Sequence, residues 1–229
     1  MLAGATIVFD LDGTLVDSAA DLAASLNHAL ACLGRPPVPP ASVRSMVGEG
    51  ARALLRRGLA ASGESEEALV EAGLGPFLDF YAGNIAVHSR PFPGAEALLD
   101  RLDGAGARLG ICTNKPEALS QALVAALGWS GRFHALLGAD SLPVRKPDPA
   151  HLLATIAAAG GRPARALFVG DSRTDAETAA AARVPLILLR HGYSTVPVDT
   201  LGAEAVIDGF HQFEGALARV QLRFNAEAP

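Results

Sequence analysis

Short apolar runs alternate with longer stretches of helical period along most of the chain. The first run, Ile7-Val8-Phe9, stops abruptly at Asp10, Asp12 and Gly13, which predicts a buried strand ending in a turn. Residues 19–33 place Leu22, Leu26, Leu30 and Leu33 on one helix face, with Asp17 or Ser18 able to cap the start and Gly34 the end. Pro36, Pro37, Pro39 and Pro40 break this pattern, and helical spacing resumes around 41–60 and 65–86. No strand is predicted in that block. From Phe92 the pattern changes. A helix at 94–103 leads to a strand at 107–112, a helix at 116–127 and a short strand near 134–138. A helix at 148–159, a strand at 165–169, a helix at 174–182 and strands at 184–189 and 204–207 follow.

Apolar strands alternating with helices indicate a parallel sheet covered on both faces. The expected fold class is therefore α/β, a doubly wound parallel sheet. Residues 1–16 and 91–229 would form its Rossmann-like catalytic core, interrupted by an α-helical domain at 17–90. The length of 229 residues suits one large domain with an insert. No internal repeat or low-complexity segment occurs.

Composition narrows the functional classes. Half of the residues are apolar and 19% are charged, as in an ordinary globular protein. The net charge of −5 supplies no electrostatic reason for a nucleic-acid or anionic-membrane partner. No apolar stretch approaches the roughly 20 residues that span a bilayer. The N-terminus has no basic segment followed by a long apolar one, so cytoplasm is the expected location. Cys32 and Cys112 are expected to be buried free thiols in a reducing compartment. The six histidines lack metal-ligand spacing, and Gly104 and Gly106 precede a strand rather than follow one, which argues against a dinucleotide site. Lys115 and Lys146 are the chain's two lysines, and arginine supplies the remaining positive charge, so each lysine merits inspection.

Four segments carry candidate chemistry. Asp10 and Asp12 repel each other unless a cation or a shared proton relieves them, and they stand at the strand edge where open α/β sheets bind ligands. Thr113-Asn114-Lys115 follows a strand; a hydroxyl and backbone amides there can hold phosphate, or simply cap a helix. Lys146, between Arg145 and Pro147, can meet a phosphoryl group as a point charge, or can be a solvated side chain before a Pro-capped helix. Asp171 follows the strand at 165–169, and Asp175 lies one helical turn on; the two can face a magnesium site or serve as caps.

Taken in order, Asp10, Asp12, Gly13 and Thr14, then Thr113 and Asn114, then Lys146 and Pro147, then Gly170, Asp171, Ser172 and Asp175, the four segments resemble the signature of the haloacid dehalogenase superfamily. The resemblance covers essentially the entire chain. It implies phosphoryl transfer through an aspartyl-phosphate, with Mg2+ as cofactor. Asp10 would be the nucleophile and Asp12 the acid and base, with catalytic help from Lys146. Asp10, the backbone carbonyl of Asp12, and Asp171 would bind metal, with Asp175 orienting a metal-bound water or Lys146 behind them. Gly13, Thr113, Asn114 and Lys146 would hold the phosphoryl group. Dehalogenases of this family lack the second aspartate, and phosphonate-cleaving members need a cap lysine. Asp12 is present and 17–90 contains no lysine, so both chemistries are excluded.

The insert resembles a helical cap, and Val47-Gly48-Glu49-Gly50-Ala51 looks like the cap segment of phosphoglycolate phosphatases. The helix that follows carries Arg52, Arg56 and Arg57; Arg56 is the candidate for gripping a substrate carboxylate, against the alternative of a solvated arginine face. The resemblance therefore implies a phosphatase of small phosphomonoesters, with 2-phosphoglycolate the leading substrate. Pyrophosphate, a sugar phosphate or a nucleotide is the alternative, as is a sugar phosphomutase. A binding module without turnover would lack catalytic groups that are present here. The expected partner is a small phosphorylated metabolite, and the expected assembly a monomer or homodimer.

Overall fold

A computed structural model describes residues 2–63 and 65–226, with side chains through Val220; Met1 and residues 227–229 of the expected core range lie outside the described residues. In chain order the elements begin with strands β1 (Thr6–Phe9) and β2 (Val16–Asp17), then helices α1 (Ala19–Cys32), α2 (Pro40–Val43), α3 (Ala51–Ala61) and α4 (Glu67–Gly83). Strand β3 (Arg90–Pro91), helix α5 (Ala95–Gly104), strand β4 (Arg108–Cys112), helix α6 (Glu117–Ala126), strand β5 (Ala135–Leu137) and helix α7 (Pro149–Ala158) come next. Strand β6 (Ala166–Gly170), helix α8 (Arg173–Ala182), strands β7 (Leu186–Leu189) and β8 (Ala205–Ile207), and helix α9 (Phe213–Ala226) complete it.

Six strands form one parallel sheet in the order β5-β4-β1-β6-β7-β8. The pleat sends alternate side chains to opposite faces. Ile7 and Phe9 of β1 thus join Leu109, Ile111, Leu167 and Val169 in one apolar cluster under α5, α6 and α9. Val8, Cys112 and Phe168 join Leu152 and Ile156 of α7 in the other. Both faces are dry, as the near-continuous apolar strands require. Truncating fully buried Phe9 to Ala should cost about 3–5 kcal/mol.

Helices α1 to α4 bury their own apolar cluster, built on Leu26, Leu30, Leu55, Leu59, Phe77 and Tyr81. Their first helix ends as its spacing predicts, with Gly34 left-handed at φ +67°. The predicted helix at 41–60 is broken: extended Val47 and positive-φ Gly48 and Gly50 separate a short turn from α3. Two further elements escape the periodicity. β2 and β3 pair antiparallel over two residues each, too short for an alternation signal, and close the base of the helical block. α9 was not expected either. Cys32 is exposed rather than buried, since its position falls on the outer side of α1, while Cys112 is buried as expected. Among the described residues no helix is long and apolar enough to cross a membrane.

Candidate active site

β1 lies between β4 and β6, and the chain leaves these strands toward opposite edges of the sheet. This is the switch point at which an open α/β sheet leaves a crevice beyond its strand ends. Asp10 and Asp12 follow β1, Thr113 to Lys115 follow β4, and Asp171 follows β6, so one rim collects all three segments.

Asp10, Asp171 and Asp175 are buried there, each with a carboxylate oxygen within 4.8 Å of the others. Burial pushes the Asp10 carboxyl up to about 6; Lys146 opposes the rise and Asp175 adds to it. Asp171 is held well above the usual carboxylate range by burial first, then by the charges of Asp175 and Asp10. Dry like charges of this kind call for a cation.

Asp175 is already satisfied. Its Oδ1 accepts from Lys146 Nζ at 2.7 Å, and its Oδ2 from the N–H groups of Asp171 and Ser172 and the Ser172 hydroxyl. The Ser172 hydroxyl in turn accepts from the Asp175 N–H, completing a capping box at the start of α8. Asp171 accepts from the Thr14 hydroxyl and the Tyr193 N–H, both at 2.7 Å. Asp10 accepts from the Leu11 N–H at 2.7 Å. Carboxylate oxygens can take more than one partner, so Asp10 and Asp171 retain capacity for a hard divalent ion, and the donor set fits magnesium.

Lys146 is enclosed between Asp175 and Asp10, whose Oδ1 is 3.0 Å away. Burial works against its charge, but Asp10 and Asp175 outweigh burial and keep the ammonium charged. His151 Nδ1 accepts the Lys146 N–H at 3.2 Å; burial, and then the Lys146 charge, lowers His151 to about 4, leaving a neutral acceptor. A cis peptide bond joins Lys146 to Pro147.

Asp10, Asp12, Thr113, Asn114 and Lys115 line a cavity closed on its other side by α3, α4 and the segment around Gly48. Asn114 donates Nδ2 to the carbonyls of Gly48 at 3.2 Å and Lys146 at 3.1 Å, tying the helical layer to the sheet rim. Thr113 Oγ1 accepts the Lys115 N–H at 3.2 Å.

Lys146, Asp171 and Asp175 gather round Asp10 rather than line this cavity, and two further candidates, Gly13 and Arg56, are not on its lining either. Gly13 lies at φ +86° and gives its N–H to Val16, while a Cβ there would stand 2.6 Å from Asp171 Oδ2. Its role is close approach of backbone to carboxylate. Arg56 pairs with Glu67 on the exposed seam between α3 and α4, 2.8 Å apart, because helix spacing turns it away from the cavity. The structure therefore places Arg56 outside the cavity that Asp10 and Asp12 line.

Three residues at the site were given no role by the sequence reading. Lys115 Nζ lies 3.0 and 2.9 Å from the two Asp12 oxygens. Tyr81, which reads as a core residue of a helix, sits beneath it with 4.4 Å from ring centre to Nζ. Tyr193 donates its backbone N–H to Asp171 and its hydroxyl to Asp17, joining the acidic cluster to the base of the helical layer. Contacts of this sequence separation leave no local pattern; the scarcity of lysine was the one usable signal.

The sequence matches the model of the haloacid dehalogenase-like hydrolase family over residues 5–183. It is 50% identical over 214 residues to the phosphoglycolate phosphatase of Caulobacter vibrioides, covering 91% of this chain and 89% of that one. It is 46% identical over 218 residues to that of Mesorhizobium japonicum, covering 95% and 96%. Among solved structures, a predicted phosphoglycolate phosphatase from Haemophilus somnus superposes with a TM-score of 0.87 at 31% identity, over 95% of this chain and 99% of that one. The chain belongs to the haloacid dehalogenase-like hydrolases.

Proposed function

We propose that this protein is a magnesium-dependent phosphatase that converts 2-phosphoglycolate to glycolate and phosphate through an aspartyl-phosphate on Asp10. The observation that carries this reading is the pairing of Asp10, buried against Lys146 and Asp171, with Asp12 two residues on and facing the same cavity. The substrate assignment rests on the relatives named above.

In the first half-reaction an Asp10 oxygen attacks phosphorus while Asp12 gives a proton to the departing glycolate oxygen. In the second, Asp12 takes a proton from water, which attacks phosphorus, releases phosphate and regenerates the Asp10 carboxylate. Lys146 offsets charge on the phosphoryl oxygens, and Asp175 holds Lys146 in place. Asp10, Asp171 and the backbone carbonyl of Asp12 would hold magnesium, which when bound neutralises phosphoryl charge and orients the group for in-line attack. Residues 17–90 serve as a cap on a core of 1–16 and 91–229, excluding water from the reacting centre. Support comes from the separate apolar cluster of α1 to α4 and the β2–β3 pair at their base.

The test is a panel of phosphorylated metabolites, scored by phosphate release with magnesium and with a chelator. The expected result is a kcat/KM for 2-phosphoglycolate at least tenfold above pyrophosphate, sugar phosphates and nucleotides, lost on chelation; a better substrate of another class would overturn the assignment.

A further inference from the structure

The arginines available for a substrate carboxylate on α3 are all engaged elsewhere. Arg52 pairs with Glu71, Arg56 with Glu67, and Arg57 with Glu49 and the Met46 carbonyl. Arg145 is exposed, 3.7 Å from the position of a Cβ on Gly50 at the rim. Of the side chains lining the cavity, Lys115 carries the positive charge. It is buried, and although burial opposes the charge, Asp12 and Tyr81 together outweigh it and keep the ammonium protonated. An ammonium has three donors, and the two Asp12 oxygens engage at most two of them.

A second observation points to the same spot. Tyr81 lines this cavity, is 1% exposed as a residue, and its buried hydroxyl has no hydrogen-bond partner among the described residues. A buried hydroxyl without a partner is uncommon unless a ligand completes it. Burial pushes its pKa up to about 12, so it remains a donor. The same cavity wall carries the apolar side chains Leu22, Leu54, Phe77 and Leu78.

We infer that Lys115 and the Tyr81 hydroxyl form the subsite for the carboxylate of a 2-phospho-carboxylic acid. The inference rests on the phosphatase reading above. In such a substrate one methylene separates the ester oxygen from the carboxylate carbon. Asp12, as proton donor, must touch the ester oxygen, so a cation in contact with Asp12 stands one methylene further on, where the carboxylate lies. The carboxylate shares the ammonium with Asp12 and accepts the Tyr81 O–H. Esters without a carboxylate leave both groups unpaired, a strong basis for discrimination.

The experiment compares kcat/KM for 2-phosphoglycolate and for ethyl phosphate, which lacks the carboxylate, in wild type, Lys115→Met, Lys115→Arg and Tyr81→Phe. Any disturbance of Asp12 slows both esters and cancels in the ratio. Lys115→Met should lower the preference for phosphoglycolate about 100-fold, Tyr81→Phe about five- to tenfold, and Lys115→Arg less than Met, as expected for charged and neutral hydrogen bonds. An unchanged ratio in Lys115→Met and Tyr81→Phe overturns the subsite while leaving the phosphatase reading intact. If Lys115→Met fails to fold, the ratio for Tyr81→Phe decides alone. Wild type that turns over other phosphate esters but not phosphoglycolate overturns the functional reading, and the subsite with it.

Discussion

Lys146 and Asp175 form an ion pair of 2.7 Å with both side chains almost wholly buried. The same ammonium reaches Asp10, so the position of the charge nearest the nucleophile is set by a residue whose own oxygens already accept from four donors. Asp175→Asn keeps the size of the side chain and removes the charge that holds Lys146. Steady-state phosphate release should show kcat/KM falling about 10- to 100-fold, the usual scale for losing a residue that orients a catalytic group. A variant as active as wild type would remove Asp175 from that role.

Asp171 is strained electrostatically in the absence of a cation, by burial and by its acidic neighbours. Asp171→Asn relieves that repulsion, and the amide oxygen can still accept from Tyr193 while its NH2 faces the Thr14 oxygen. The metal-free variant should therefore melt about 2–4 °C above metal-free wild type for each kcal/mol gained. Saturating magnesium should raise the melting point of wild type but not of the variant, and the variant should be inactive. Calorimetry with and without magnesium checks this; a lower melting point in the metal-free variant would show that the site is not under strain.

Acid should weaken magnesium binding. The Asp10 carboxyl is raised to about 6 in the folded protein, above its unfolded value of about 3.9. A raised acid binds its proton more tightly when folded, so between about pH 4 and 6 the folded state holds the extra proton. Metal-free stability from this group is thus greatest at low pH and declines as pH rises through that window, the reverse of a salt-bridged carboxylate. Magnesium must displace that proton. At pH 5.5 roughly three-quarters of such a group is protonated, so the dissociation constant should rise about fourfold over pH 7.5 from Asp10 alone. Titration calorimetry at the two pH values tests this, and an unchanged constant would contradict it.

Arg56→Ala should leave the KM for phosphoglycolate within about twofold of wild type, because the exposed Arg56–Glu67 pair contributes at most about 1 kcal/mol and does not touch the cavity. A KM raised tenfold, with ethyl phosphate unaffected, would restore the carboxylate role that its position in the sequence suggested.

The core was legible in the sequence because its strands are dry on both faces and its helices carry one apolar stripe, both strong periodic signals. Asp10, Asp12, Asp171 and Lys146 were legible because each directly follows, or lies close to, such a strand. Lys115 and Tyr81 were not. Tyr81 has the spacing of an ordinary core position in α4, and Lys115 meets Asp12 across 103 residues, a separation that only the folded sheet spans. The pairing of Arg56 was not legible for a related reason: helical spacing identifies a face but not whether glutamates on the next helix, here Glu67 and Glu71, already occupy it. The β2–β3 pair and α9 lay below the length or contrast that periodicity resolves.

The most direct measurement is chemical capture of the phosphorylated side chain. Wild-type protein turning over 2-phosphoglycolate with magnesium is quenched in acid and reduced with borohydride, which converts an aspartyl-phosphate to homoserine, and its peptides are mapped by mass spectrometry. Homoserine should appear at position 10, be absent under chelation, and be absent from an Asp10→Asn variant that releases no phosphate. Label on another residue, or undiminished turnover by Asp10→Asn, would contradict it.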